Sequence, residues 1–205
     1  MREAEETADD RTKYEVALAW IKAFRRDRGD GEKKPSCFIS YAWGAREHER
    51  WAEQLADHLQ KADVAVIFDR WHNTPATSIS RFVERIDRAE FVCAIGTPGY
   101  RQKDEATDKD PVVQAELRLI KSKLMARDET HDTVIPLLRS GTREEAFPAL
   151  FKDSVFVDCR EESDFFLRLF ELVLTIHRLP FEDKMARQHR DEFRGISEID
   201  RKSVV

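Results

Sequence analysis

Two tryptophans, Trp43 and Trp71, each follow a short apolar run of this sequence. An indole in a loop at the end of a strand suits stacking on a planar ring such as adenine or nicotinamide. Just after Trp43, Gly44 would let the main chain approach a phosphate, and the Arg46 guanidinium would pair with that phosphate. Each has an ordinary alternative, because an indole can pack on its own loop or form an assembly contact, and Arg46 can be a surface charge.

Two acidic side chains lie near these loops. Asp69 ends an apolar run, and it either caps the amides of the following loop or lines a cleft. Glu84 lies one helical step of about 100° from Val83, on the flank of a stripe that also includes Ile79 and Ile86. A carboxylate on that flank can face a cleft, although a helical Glu among arginines is usually a solvated, ion-paired side chain.

The three cysteines do not predict a metal site. Cys37, Cys93 and Cys159 each lie in an apolar, strand-like run and show no CxxC spacing, and the six histidines show no ligand spacing. We expect all three thiols to be buried and reduced, which is typical of a cytosolic protein.

The composition favours one soluble domain with extensions. The chain has 205 residues, 41% hydrophobic and 37% charged, with a net charge of −5. A mildly acidic chain with interspersed Lys and Arg is not built to bind nucleic acid or an anionic membrane. The longest apolar run is far shorter than the roughly 20 residues of a membrane span, and the acidic N-terminus is unlike a signal peptide. We therefore expect a cytoplasmic protein without membrane insertion.

Apolar runs and helical periodicity alternate along most of the chain. Several runs are apolar at successive positions, as in strands buried on both faces. The predicted strands are Ser36–Tyr41, Val64–Phe68, Phe91–Gly96, Thr133–Leu138 and Val155–Val157. The predicted helices are Arg11–Arg26, Glu47–Lys61, Ser78–Arg88, Val112–Arg127 and Glu161–Arg178. In the helix Glu47–Lys61, apolar residues recur every four positions at Trp51, Leu55 and Leu59.

This alternation predicts an α/β domain of the flavodoxin-like type. Right-handed crossovers then give a five-stranded parallel sheet of order 2-1-3-4-5, with helices on both faces and an additional N-terminal helix. Such sheets bind ligands at the carboxyl ends of the strands, where the strand order reverses. Here that point lies at the loops after strands one and three, with the loop after strand two closing over them.

Charged and glycine-rich stretches suggest the domain boundaries. We expect an N-terminal helix and charged linker at 1–35, the α/β domain at 36–180 and a charged tail at 181–205. The tail could be a helix or disordered, and Arg101–Asp110 is expected to be a solvated loop.

Several sequence boxes resemble those of one signalling superfamily. They are Cys37–Ala42 (CFISYA), Glu47–Trp51, Val64–Trp71, Phe82–Ile86, Phe91–Tyr100, Val134–Leu138 and Phe156–Asp158. In this order and spacing they are similar to the boxes of TIR and SEFIR domains. The resemblance covers about Ser36 to Leu179, and it implies the same flavodoxin-like fold.

The resemblance also implies two functions. TIR domains assemble with each other through the loop after the second strand, here the segment Asp69–Thr77. The assembly residues carried over are Arg70, His72, Asn73, Thr74 and Pro75. Many TIR domains also cleave NAD+ at the nicotinamide–ribose bond, releasing ADP-ribose or a cyclic form, in immune or cell-death signalling. SEFIR domains are known chiefly as homotypic adaptors.

The resemblance assigns roles to individual residues. Glu84 lies on the helix where TIR enzymes carry their catalytic glutamate, although some of them carry it earlier, where this chain has Ile79 or Arg81. Glu116 resembles the glutamate of the TIR WxxxE helix, with Val112 in place of the Trp, and is interpreted as structural. The expected substrate-binding residues are Tyr41, Ala42, Trp43, Gly44, Arg46, Asp69 and Trp71.

Cleavage of NAD+ needs a carboxylate near the ribose. Positive charge builds on that ring as neutral nicotinamide leaves, and a carboxylate stabilises the oxocarbenium-like transition state. NAD+ would be the substrate, and no cofactor is expected.

Two functions therefore stay open from the sequence. One is an NAD+-cleaving enzyme activated by self-assembly, and the other is a non-enzymatic homotypic module that recruits other TIR or SEFIR domains. A phospho-receiver of the same fold is excluded, because it needs acidic residues where this chain has Tyr41, Ala42 and Thr97.

Overall fold

The computed structural model describes residues 8–68, 79–105, 111–125, 133–151 and 153–203. The chain divides into two compact units. One comprises Pro35–Arg160, and the other comprises Met1–Lys34 together with Glu161–Val205.

The unit Pro35–Arg160 is built on a five-stranded sheet. Its strands are β1 (Ser36–Ser40), β2 (Ala65–Ile67), β3 (Phe91–Gly96), β4 (Val134–Leu138) and β5 (Val157–Asp158). The strand order is β2-β1-β3-β4-β5, and every neighbouring pair is parallel. The predicted fold class and strand order are confirmed.

The helices of this unit follow the strands in alternation. They are α2 (Arg46–Lys61), α3 (Ile79–Arg88), α4 (Pro98–Glu105), α5 (Pro111–Met125) and the short α6 (Arg143–Ala146), which a 3-10 turn at Ala149–Phe151 follows. The stripe predicted for α2 is confirmed, since Trp51, Leu55 and Leu59 are all buried.

Helices cover both faces of the sheet. Successive strand residues point to opposite faces, so Phe38 in β1 and Tyr41 just beyond it face opposite sides. Phe38 belongs to a core that includes Ile86 of α3 and Ile120 of α5. The Tyr41 ring lies 6.0 Å from the ring of His48 on α2. Helix α2 therefore packs on one face and helices α3 and α5 on the other.

One predicted strand begins too early. Val155–Val157 was predicted as the fifth strand, but β5 is Val157–Asp158 and Val155 is 91% exposed. The β-branched residues at 155 and 157 favour a strand locally, yet only the second pairs with β4. Cys159 lies just after this short edge strand and is half-buried, so the expectation of three buried thiols holds only for Cys37 and Cys93.

One predicted loop contains a helix. Residues 101–105 of the expected loop Arg101–Asp110 belong to α4, which begins at Pro98. The Thr97 hydroxyl accepts a hydrogen bond from the Tyr100 amide at 3.1 Å and caps the helix. Proline suits the first helical position, so Thr97-Pro98 is a start signal that outweighs the polar composition after it.

The second unit is helical. It contains α1 (Ala8–Asp27), a 3-10 turn (Glu162–Asp164), α7 (Phe165–Ile176) and α8 (Lys184–Ser203). The tail, for which the sequence left helix or disorder open, is therefore helical over Lys184–Ser203. Aromatic rings join the three helices, because Trp20 of α1 lies 6.3 Å from Phe170 of α7 and 5.6 Å from His189 of α8.

In the part of the chain that the structure describes, no helix has the length and apolar character needed to cross a membrane.

Candidate functional site

The strand order reverses between β1 and β3, so their carboxyl ends form the switch point of the sheet. The loop after β1, residues 41–45 and here called the β1 loop, leaves from one side of this point. Thr97 and α4 leave from the other. The local sequence explains the geometry, because both strands end in small residues, Ser40 and Gly96, where the chain must turn over the sheet.

Trp43 projects from the β1 loop into solvent. Its side chain is 67% exposed, which makes it one of the few large exposed apolar residues among those described. Gly44 follows with a positive φ of 111°, a conformation that glycine adopts at little cost. The Gly44 amide donates to the Glu49 carboxylate at 2.8 Å, which ties the loop to the first turn of α2.

Tyr41 and Ala42, two predicted substrate-binding residues, point into the protein. They are 2% and 7% exposed, and the Tyr41 ring stacks on Phe68 at 5.2 Å.

A buried polar cluster lies beneath the β1 loop. Glu116 of α5 is 5% exposed, and its carboxylate accepts hydrogen bonds from the Ser40 hydroxyl and from the Lys103 ammonium, the latter at 2.9 Å. The Tyr100 and Ser40 hydroxyls are 2.9 Å apart. Lys103 also donates to the Tyr41 carbonyl at 3.0 Å. A carboxylate buried this deeply requires such partners, and the interpretation of Glu116 as structural fits these contacts.

His48 lies on the opposite face of the sheet, in the first turn of α2. Neither ring nitrogen has a hydrogen-bond partner, and both are buried. Burial lowers the pKa of His48 most, the Arg139 guanidinium lowers it further, and Glu49 opposes them. The Arg139 guanidinium also lies 5.2 Å from the centre of the Trp51 ring, so a cation stays close to the histidine.

The remaining predicted site residues do not join one described cluster. Arg46 is exposed at the first position of α2, and Glu84 is exposed midway along α3. At 1.5 Å per residue, Glu84 lies roughly 7.5 Å along the helix axis from the first residue of α3. Asp69, Arg70, Trp71, His72, Asn73, Thr74 and Pro75 lie outside the described residues.

Sequence reasoning missed Lys103, and it gave no separate role to Ser40 or Tyr100. Two features of the sequence could have indicated Lys103. Thr97-Pro98 is a helix start, and Tyr100 and Lys103, three positions apart, then lie on one face of that helix. Among the described residues, no group of three or more His, Cys, Asp or Glu side chains is placed to hold a metal ion.

These features define a class of protein before any comparison. A parallel 2-1-3-4-5 sheet with helices on both faces describes a flavodoxin-like α/β domain, a class whose members bind ligands at the carboxyl ends of the strands.

Comparisons with known proteins identify the family. The model of the TIR domain family matches residues 37–173, and the chain belongs to this family. The chain is also similar to the crystal structure of a prokaryotic SEFIR domain, with a TM-score of 0.56 and 25% identity. That match covers 70% of this chain and 99% of the SEFIR chain. A search of curated proteins finds no match.

Proposed function

We propose that this chain is a TIR-type signalling domain that cleaves NAD+ at the nicotinamide–ribose bond once self-assembly encloses its site. The observation that carries the proposal is the position of Trp43. Its indole is 67% exposed on the β1 loop at the switch point, where folds of this type bind nucleotides. The family supports the same reaction, since many TIR domains cleave NAD+.

The reaction breaks the bond between the ribose C1′ and the nicotinamide nitrogen. The bonding electron pair stays with the nitrogen, so nicotinamide leaves neutral and positive charge develops on the ribose. Attack of water at C1′, with loss of a proton, then gives ADP-ribose, and attack by an adenine nitrogen gives a cyclic product. In this proposal Glu84 stabilises the ribosyl cation and Trp43 stacks on a ring of the substrate.

Glu84 and Trp43 are both exposed to solvent in the single chain, and this is why the proposed mechanism includes self-assembly. A carboxylate in bulk water interacts weakly with a nearby cation, because the high dielectric constant screens the attraction. Packing of a second copy over Glu84 and Trp43 would exclude water and strengthen the attraction between the carboxylate and the ribosyl cation. The predicted assembly segment Asp69–Thr77 connects β2 to α3, so it lies directly before the helix that carries Glu84.

Nicotinamide release from NAD+, followed by chromatography over a range of protein concentrations, tests the proposal. We expect the rate per chain to rise with concentration and Glu84→Gln to reduce it on the order of 100-fold. Asp87→Asn is the matched control, because Asp87 is also an exposed acid on α3 and should leave the rate unchanged. Equal activity of Glu84→Gln and wild type would remove Glu84 from the mechanism.

A second candidate is a non-enzymatic homotypic module. The observation that favours it is that Glu84 is solvent-exposed midway along α3. Some TIR enzymes carry their catalytic glutamate earlier, and at that point this chain has Ile79, the first residue of α3. The similarity to a prokaryotic SEFIR domain fits this alternative as well. Protein that self-associates by light scattering but releases no nicotinamide, even when fused to an oligomerising domain, would support the module and contradict the enzyme.

A further inference from the structure

The β1 loop is fastened to the protein on both sides of Trp43. On one side the Gly44 amide donates to Glu49 of α2 at 2.8 Å. On the other side the Tyr41 carbonyl accepts from the Lys103 ammonium of α4 at 3.0 Å. The exposed indole thus lies between two anchors from helices on opposite faces of the sheet.

The Lys103 anchor reaches a main-chain carbonyl just beyond the end of a strand. Strand β1 ends at Ser40, and the Lys103 ammonium donates to the carbonyl of the next residue, Tyr41. Lys103 is well placed to do so, because its side chain is only 17% exposed and passes near the Tyr100 ring, 6.0 Å from the ring centre.

Glu116 holds that ammonium in place. Its carboxylate, with 7% side-chain exposure, pairs with Lys103 at 2.9 Å and also accepts from the Ser40 hydroxyl at the end of β1. One carboxylate therefore links the strand end, α4 and α5. A lysine with two acceptors in fixed positions has little freedom to move, so the carbonyl that it binds is fixed as well.

We infer that Lys103 is a positioning residue for the β1 loop: paired with Glu116, it holds the Tyr41 carbonyl and so sets where Trp43 stands at the switch point. The inference deepens the proposed function, and the consequence for NAD+ binding rests on that function. The effect of Lys103 on the position of the β1 loop requires no catalytic activity.

The test removes the anchor without leaving a buried charge. In the double variant Lys103→Met/Glu116→Gln both charges are lost together, and the new amide carbonyl can still accept from the Ser40 hydroxyl. Lys103→Arg is the conservative variant, which keeps a cation with several donors. Lys61→Met is the matched control, because Lys61 is exposed at the last position of α2.

Amide hydrogen exchange measures the loop directly. We expect the Gly44 amide of the double variant to exchange about tenfold faster, as expected for the loss of one charge-assisted hydrogen bond that limits loop opening. Lys61→Met should match wild type, Lys103→Arg should lie closer to wild type than the double variant does, and exchange within β3 should be unchanged in all of them. Unchanged exchange at Gly44 in the double variant would overturn the inference.

Steady-state kinetics with NAD+ add a second readout. If Trp43 stacks on the substrate, the double variant should raise KM by about tenfold and change kcat less, because a misplaced loop weakens binding. An unchanged KM would overturn the catalytic part of the inference. A wild-type protein without turnover would instead contradict the proposed function, and hydrogen exchange would then decide the role of Lys103 by itself.

Discussion

The surroundings of His48 oppose its protonation on balance. Burial and the Arg139 guanidinium both lower its pKa, while Glu49 acts in the opposite direction. Its position in the first turn of α2 adds the positive end of the helix dipole. Since neither ring nitrogen has a hydrogen-bond partner, the neutral ring is retained through packing, including its contact with Tyr41.

This environment predicts a loss of stability in acid. The pKa of His48 is lower in the folded chain than in the unfolded chain, so the unfolded chain binds more protons as the pH falls below about 6.5. Stability linked to His48 is therefore full above that pH and decreases as the pH falls toward the folded-state pKa. Between pH 7.5 and pH 5.5, the free energy of unfolding measured by urea denaturation should fall less for His48→Phe than for wild type. Equal losses would contradict the prediction.

At the scale of elements, the end of β3 leaves no space for a side chain at Gly96. A Cβ built there would lie inside the contact distance of several atoms of the Phe147 ring. The φ angle of Gly96 is not positive, so the constraint is steric rather than conformational. Because Gly96 has no side chain, the buried Phe147 ring, which is 4% exposed, packs directly on the end of β3 next to the switch point.

Gly96→Ala should therefore destabilise the fold by about 1–3 kcal/mol in urea denaturation, the usual cost of overpacking a core. Combining it with Phe147→Leu should cost less than the sum of the two single changes, because the smaller side chain relieves the clash. Gly99→Ala is the control: its Cβ would lie 3.6 Å from that of Ala42, an ordinary contact. Additive losses in the double variant would argue against the clash.

Helix α4 shows how one element connects the core to the site. Thr97 caps it, Tyr100 is buried on its inner side, and Lys103 reaches the Tyr41 carbonyl one turn further along. Because the helix is rigid over this short span, the cap at the end of β3 fixes where the Lys103 side chain leaves the helix, and Glu116 then holds its ammonium. A local start signal thus has a consequence in the neighbouring loop.

At the scale of the whole molecule, the two ends of the chain fold together. Helices α1 and α8 belong to one unit with α7, and Trp20 lies against both Phe170 and His189. Within this unit Arg25 is 3% exposed and donates to the carbonyls of Asp30 and Lys33, so the charged segment after α1 is fastened to that helix.

A chain that begins at Pro35 should lose protection in α8. Without α1, the rings of Phe170 and His189 lose their contact with Trp20, and the apolar surface left uncovered weakens the packing of α8. Hydrogen exchange of α8 peptides should become faster than in the full chain. Val16→Ser in the full chain is the control, since Val16 is 56% exposed on α1. Unchanged α8 exchange in the shortened chain would show that α1 does not support it.

Much of the sheet could be predicted because its determinants are local. Apolar runs such as Phe91–Gly96 indicate strands buried on both faces, and the handedness of crossovers then leaves few strand orders. The exposure of Trp43 also follows from its position in a loop after a strand. The edge strand β5 was predicted less well, because pairing with β4, and not local propensity, decides where a short edge strand begins.

The amino-acid sequence by itself determined the family and the sheet order, since these depend on periodicity and on motifs of neighbouring residues, and it predicted that the loops after strands one and three bind a ligand. Only the tertiary structure decided which side chains meet there. It turned Tyr41 inward, left Glu84 in solvent and brought Lys103 to a carbonyl 62 positions away in the chain. The physical reason is that hydrogen bonds and burial depend on distance in space, which one sequence does not specify for residues so far apart.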